Sequence, residues 1–334
     1  ADGTVVDYVL GDGETLYTDL TVATGPTTSV TFDMDDEKGD FLQVTGNAEI
    51  DLFGFVQVSG GFALEKSSQT VVLSDQIEVD TTMLAIGMSG VDAFVGMNGG
   101  TADALGLQLT GLDLALVMFS EVAITKRKWT SVKADVTDAS FVGVEDLTIN
   151  VNTISVDINK QAADGTVVDY VLGDGETMST DLTVATGPTT SVTFDFDDEK
   201  GDFLQVTGNA EIDLFGFVQV SGGFALEKSS QTIVLSDQTE VDTNMLAIGM
   251  SGVDAFVGMN GGTADALGLQ FTGLDLALVL FSETTLTPRK WTSVKADVTD
   301  ASFVGVTGLE ISVNTISVDI NKAAADGTVC LLYT

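Results

Sequence analysis

The sequence predicts an all-β protein: an elongated, solenoid-like β stack, with antiparallel β-sandwich modules as the alternative architecture. Three observations carry this prediction: apolar and polar residues alternate, glycines punctuate the alternating runs, and one block of 162 residues occurs twice.

The alternation is strongest in four places. Leu105, Leu107 and Leu109 alternate with polar or small residues, and so do Leu112, Leu114, Leu116 and Met118. Leu147, Ile149 and Val151 follow, then Ile154, Val156 and Ile158. Period two places one set on each face of a strand, so these runs read as strands. No stretch holds helical spacing with caps, although residues 101–105 are long enough for one turn. The glycine punctuation reads apolar-x-apolar-Ser/Thr-Gly and ends at Gly46, Gly60, Gly90 and Gly111, and in the second copy also at Gly308. Glycine permits a sharp bend that a Cβ would block. Each of these positions is therefore expected to be a hairpin turn in a sandwich or a corner in a stacked coil.

The repeat sets the organisation. ADGTVVDYVLGDGET starts at Ala1 and again at Ala163, and the offset of 162 holds without insertion or deletion, with 17 differences. Six of them exchange one apolar residue for another, such as Met34 for Phe196 and Leu109 for Phe271. Residues 1–162 are module 1, 163–324 are module 2, and 325–334 begin a third copy that diverges at Cys330. The chain is expected to be a piece of a longer array.

Composition narrows the function. The 334 residues are 44% hydrophobic, enough for a packed core. They carry 50 acidic residues against 13 basic ones, a formal charge of −37, and no histidine. Such a surface repels nucleic acid and anionic lipid, and also copies of itself unless salt or divalent cations intervene. A saline or calcium-bearing medium is expected. The one cysteine, Cys330, rules out an internal disulfide. Residue 1 lies within repeat sequence, so no signal peptide is expected. The apolar run 104–119 is too short for a spanning helix, and no transmembrane segment is predicted.

The candidate metal site is an acidic run, Asp33, Asp35, Asp36, Glu37 and Asp40, repeated as Asp195, Asp197, Asp198, Glu199 and Asp202. Alternate carboxylates before a glycine turn can wrap oxygens around calcium. Lys38 before the glycine, and the absence of a glutamate at the usual distance, depart from the familiar DxDxDG loop. A solvated acidic hairpin tip is the other reading. The basic island Lys126, Arg127, Lys128, with Trp129 beside it and Lys133 nearby, either meets the acidic loop of the next module or guards a strand edge. Trp129 and Trp291 are expected in the core rather than stacked on sugar. Without histidine there is no Ser-His-Asp triad or His-based zinc site, and no nucleophile elbow or phosphate loop is present. No enzyme activity is predicted.

The run FLQVTGNAEIDLFGFVQVSGGFALEKS resembles modules of giant bacterial surface proteins of the green sulfur bacterial and cyanobacterial type. The similarity covers 41–160 and 203–322. It implies a secreted or surface-attached adhesin, stalk or matrix component, often calcium-dependent. The expected function is an extracellular structural or adhesive repeat forming a stalk or filament, with other copies of itself as partners through β-augmentation of chain ends. The alternative is a glycan- or protein-binding module using loops such as 67–80. An outer-membrane barrel would need aromatic girdles, which two Trp and four Tyr do not supply.

Overall fold

The computed structural model describes residues 5–6, 18, 20–25, 27–32, 34, 40–124, 126–173, 176–196 and 201–331. Among them there is no helix, and the alternating runs are strands, as their period requires. A short hairpin, β1 (Thr21–Ala23) and β2 (Ser29–Thr31), precedes six long strands. These are β3 (Leu42–Leu52), β4 (Val56–Val72), β5 (Glu78–Met97), β6 (Leu105–Glu121), β7 (Lys128–Val142) and β8 (Leu147–Lys160). The second copy repeats the pattern: the hairpin β9 (Thr183–Ala185) and β10 (Ser191–Thr193), then β11 (Phe203–Leu214) and β12 (Val218–Val234). The last four are β13 (Glu240–Met259), β14 (Leu267–Glu283), β15 (Lys290–Val304) and β16 (Ile311–Lys322).

The twelve long strands form one antiparallel sheet in chain order, with β3 and β16 at its two edges. The modules join within it. Strand β8 pairs with β11, with Ile158 opposite Leu204 and Ile149 opposite Ile212. At the usual spacing between strands, twelve of them span about 55 Å. The architecture is therefore elongated and open, and it grows by hairpins rather than by coils.

The Ser/Thr-Gly motifs are neither hairpin turns nor corners, except at Gly308, which lies in the β15–β16 turn. Gly46, Gly60, Gly90 and Gly111 all fall inside strands. The β4–β5 register shifts between Ser59 and Gly61, and the β5–β6 register shifts between Met88 and Val91. These are β-bulges, which need an extra residue and often a left-handed one; Gly90 has φ 54° and Gly111 φ 63°. Aspartates fill the freed donors: Gly90 N donates to Asp113 Oδ1 and Gly111 N to Asp92 Oδ1, both at 2.9 Å. The irregularities form a row across the sheet, continued by Thr153 (φ 50°) on β8. The stretch 67–80, expected to be a recognition loop, is mostly strand; only 73–77 separates β4 from β5.

One face of the first module's sheet is covered by the start of the second copy. The described residues 162–173, 176–196 and 201–203, here called the strap, run back over β4 to β7. Ala162, Val168, Tyr170, Leu182, Val184, Phe194, Phe196 and Phe203 pack there against Val71, Met83, Ala115, Val117, Phe119 and Trp129. A sequence repeat has no privileged starting point, and packing is out of phase with the numbering: a sheet is completed by the opening of the following copy. The second sheet receives the same treatment over a shorter stretch, where Ala324 and Cys330 pack on Leu235, Phe281 and Trp291.

The closest approach is at Gly87 on β5. A Cβ there would meet the backbone of Ala185, with Thr186 Cα at 2.6 Å. Only glycine lets hairpin β9–β10 lie flat on the sheet. Gly87→Val is expected to unseat the strap at a cost of about 1–3 kcal/mol. Chymotrypsin should then cut at Tyr170, Phe194 or Phe196 faster than in the wild type while the twelve strands persist; unchanged cleavage would contradict this packing.

Candidate functional site at the inter-repeat joint

The residues that hold the strap are those the sequence marked as the basic island, together with a buried polar group that the pattern did not reveal. Arg127 precedes β7 and forks onto Glu121 at the end of β6, Nε to Oε2 at 3.0 Å and Nη2 to Oε1 at 2.8 Å. Its Nη1 reaches Asp164 Oδ2 in the next copy at 3.0 Å. The guanidinium carbon lies 5.2 Å from the ring centre of Trp129. Trp129 is 1% exposed and donates Nε1–H to Thr166 O at 3.0 Å. The tryptophan is core, and its polar end holds the entering chain.

Beneath it lies a fully buried polar relay. Asn159 on β8 donates Nδ2–H to Val168 O at 2.8 Å and accepts from Ser131 Oγ at 3.0 Å. Ser131 Oγ in turn accepts from the Tyr170 hydroxyl at 2.7 Å. Complete burial pushes the Tyr170 hydroxyl well above its ordinary pKa, so it stays protonated and keeps donating. Side chains of β7 and β8 thereby read the position of one strap segment. Asn159 sits among alternating residues that look solvent-facing, and only the arrival of the strap buries it.

Further along, Thr180 Oγ1 accepts from Val72 N at 2.8 Å, and Tyr170, Phe194, Phe196 and Phe203 form a ring cluster with centroids 5.2–5.9 Å apart. Lys133 Nζ meets Asp195 Oδ1 at 2.5 Å and lies 5.8 Å from the Phe196 ring centre. The basic residues of one module thus meet the acids of the next at two points, Asp164 and Asp195.

The acidic run divides by what is described. Asp33, Asp35, Asp36 and Glu37 lie outside the described residues, as do Asp197, Asp198 and Glu199. Asp40 is exposed. Asp195 pairs with Lys133, and Asp202 Oδ1 accepts from Gln161 N at 3.2 Å. Among the described residues no group of three or more His, Cys, Asp or Glu side chains is arranged to hold a metal. An open groove of about 450 Å³ lies below the bulge row, lined by Asp51, Gln57, Asp92 and Phe94 among others. Its carboxylates serve the fold: Asp51 accepts from Gly54 N and Gln57 Nε2, and Asp92 from Gly111 N.

The clamp recurs in the second module. Arg289 forks onto Glu283 and reaches Asp326 at 3.2 Å, and Trp291 Nε1 donates to Thr328 O at 3.1 Å. Asn321 Nδ2 donates to Cys330 O at 2.9 Å, with Cys330 standing where the first joint has Val168. Burial pushes the Cys330 thiol pKa up, as suits a packing residue.

Compared with known proteins, the chain matches no family model, no curated protein and no solved structure. Its function is therefore argued from the joint itself.

The joint carries a pH signature. Hydrogen bonds from Arg127 hold Glu121 below its ordinary 4.5, and hydrogen bonds from Thr166 hold Asp164 below its ordinary 3.8. A depressed carboxylate stabilises the fold above its unfolded pKa and loses that contribution as pH falls through the folded value. Wild type should therefore melt above Arg127→Gln at pH 6–7 (about neutral, where both carboxylates are ionised), with the gap closing below pH 4.5. A gap independent of pH would remove the ion pair from the clamp.

Proposed function

We propose that the chain is an extracellular structural repeat protein, an element of a stalk, fibre or filament at the cell surface, whose function is its length and stiffness. The observation that carries this reading is the β8–β11 pairing, which continues one sheet from module to module without a flexible linker. A linker of Gly, Ser or Pro would let modules swing. Here the connecting segment is instead the strap, locked to the sheet by Arg127, Trp129 and Asn159. The acidic exterior keeps neighbouring elements apart in water and makes their association depend on salt. The resemblance to giant bacterial surface proteins points the same way. No helix among the described residues is long and apolar enough to cross a membrane.

Calcium enters this reading as the cation that the acidic runs 33–40 and 195–202 would hold.

Small-angle scattering of the dilute chain tests the shape. A compact globule of this length has a radius of gyration of about 20 Å; a value well above it with a flat-rod profile is expected, and a value near it would overturn the stalk. For calcium, millimolar additions should raise the melting temperature reversibly with chelator. A melting temperature indifferent to both removes calcium and leaves the stalk.

A further inference from the structure

Residues 114–119 of β6 read Leu-Ala-Leu-Val-Met-Phe, an unbroken apolar run. Such runs belong to strands that are buried on both faces, yet here only one face is buried. Ala115, Val117 and Phe119 lie under the strap, whereas Leu114 and Leu116 are half-buried and Met118 is 37% exposed. Strand β5 behaves alike: Met83 and Ala85 are buried, Leu84 and Ile86 only partly. Both buried clusters lie on the strap side.

The face away from the strap, here the far face, is apolar across the sheet and along it. On one side of the bulge row, Ile86, Leu116, Val132, Ile158 and Leu204 stand opposite one another on successive strands. On the other side, Ala93, Leu109, Ala139, Val151 and Ala210 do the same. Strand β11 pairs with β12 without a register shift, and Leu204 and Ala210 are an even number of residues apart, so both rows share one face. The bulges bring this about. In an unbroken strand Leu107 and Leu109 would face away from Leu112, Leu114 and Leu116; the irregularity at Gly111 returns both sets to one side. Thr153 does so for Ile149 and Val151 with Ile154 and Val156. The same phasing sends Asp92, Asp113, Asp135 and Asp138 to the strap side. Between the levels of Leu105 and Met118 the far face carries no strand carboxylate, and Lys66 and Lys160 stand at its margin.

Residues 105–118 extend about 45 Å along the strand and the twelve strands about 55 Å across it, so the face measures about 2,500 Å². The largest apolar patch on a typical monomer is about 300–600 Å², and a stable dimer takes about 800 Å² from each partner. Whatever covers this face is therefore flat, apolar and comparably large. A lipid surface fits poorly. Trp129, Trp291 and Tyr170, which would suit a membrane interface, are all buried on the strap side, and a chain of charge −37 is repelled by anionic headgroups. A second copy of the chain offers a surface of the same size and chemistry.

We propose that two copies of the chain pack back to back through their far faces. The sheets then lie about 10 Å apart as a β-sandwich, with straps and carboxylates outward. The same surface serves on both copies, so the contact closes on a pair. Met88, Met97, Met118, Met250 and Met259 lie on it, and their flexible side chains let one such surface fit another. The face is open in the first module, where the strap is complete, so no strap accounts for it. The joint between modules lengthens the sheet; this contact doubles its thickness. The inference goes beyond the stalk reading without resting on it, since two sheets pair whether or not they belong to a stalk.

Sedimentation velocity of the full chain, with peroxide footprinting read by mass spectrometry, tests this. A dimer that persists at high salt is expected. Met97 and Met259, each 50% exposed on the single chain, should be oxidised more slowly in the dimer than after dilution to single chains. Leu107→Glu, at a site 62% exposed, should keep the strand content and weaken the dimer by about 100-fold. Met259→Glu, on the second module, should do the same. Gln108→Glu, next in sequence but on the opposite face, should leave the dimer intact. A chain that stays monomeric at every concentration overturns the inference, and if it then binds phosphatidylcholine vesicles through Leu107 the face belongs to lipid. A dimer that survives both Leu107→Glu and Met259→Glu uses another surface and overturns it equally. The length seen by scattering tests the stalk reading and the mass tests the pairing, so the two fail separately.

Discussion

The burial of Trp129, Phe119 and Val117 under the strap residues Val168, Tyr170, Leu182, Val184, Phe194 and Phe196 is the contact on which the remaining structure depends. A single-layered sheet whose strands carry apolar residues on the inward face has to cover that face, and the sheet itself has nothing to cover it with. The covering layer comes from the next copy in sequence. That borrowing explains why the modules cannot be separated at residue 162 without exposing a core. The segment that links the two modules is also the one that completes the first sheet.

Specificity in the joint comes from polar atoms more than from apolar area. Many apolar segments could lie on Val117 and Met83. Few would present a carbonyl to Asn159, another to Trp129, and a hydroxyl to Ser131 in one alignment. Leaving any of these buried groups unpaired costs about 1–3 kcal/mol, so the relay fixes the strap's alignment while the apolar contacts supply the attraction. Arg127 adds an electrostatic latch at the entrance, partly shielded by the Trp129 ring. On a chain so dominated by acid, Arg127, Lys133 and Arg289 each pair with an acid of the following copy.

Much of the fold was legible from the residues. Alternation such as Leu112, Leu114, Leu116 and Met118 describes a strand in any context, because side-chain direction reverses at each residue. Trp129 was expected in the core, and the basic island read either as a partner of the next module's acids or as the guard of a strand edge; only the structure pairs Arg127 with Asp164 and Lys133 with Asp195. The Ser/Thr-Gly motifs were legible only as irregularities. A glycine of positive φ serves a turn and a bulge equally, and Gly90 and Gly111 resolve as bulges because their partner strands continue past them. Asn159 gave no signal, since a polar residue in an alternating strand reads as solvent-facing until something covers it. The acidic run lies mostly outside the described residues; of its described members Asp40 is exposed, and Asp195 and Asp202 each have a protein partner.

By itself the sequence determined the class, the strand content, the 162-residue period and the concentration of positive charge, because each is a property of local pattern or composition. Tertiary structure decided where one unit ends and the next begins. A repeat is invariant to where counting starts, and burial is not: Leu20 and Leu182 occupy the same place in the period, and one is exposed while the other is buried. The physical reason is that a sheet face is covered by the segment that follows it in the chain, as Val168 and Leu182 cover the first sheet and Ala324 and Cys330 pack on the second.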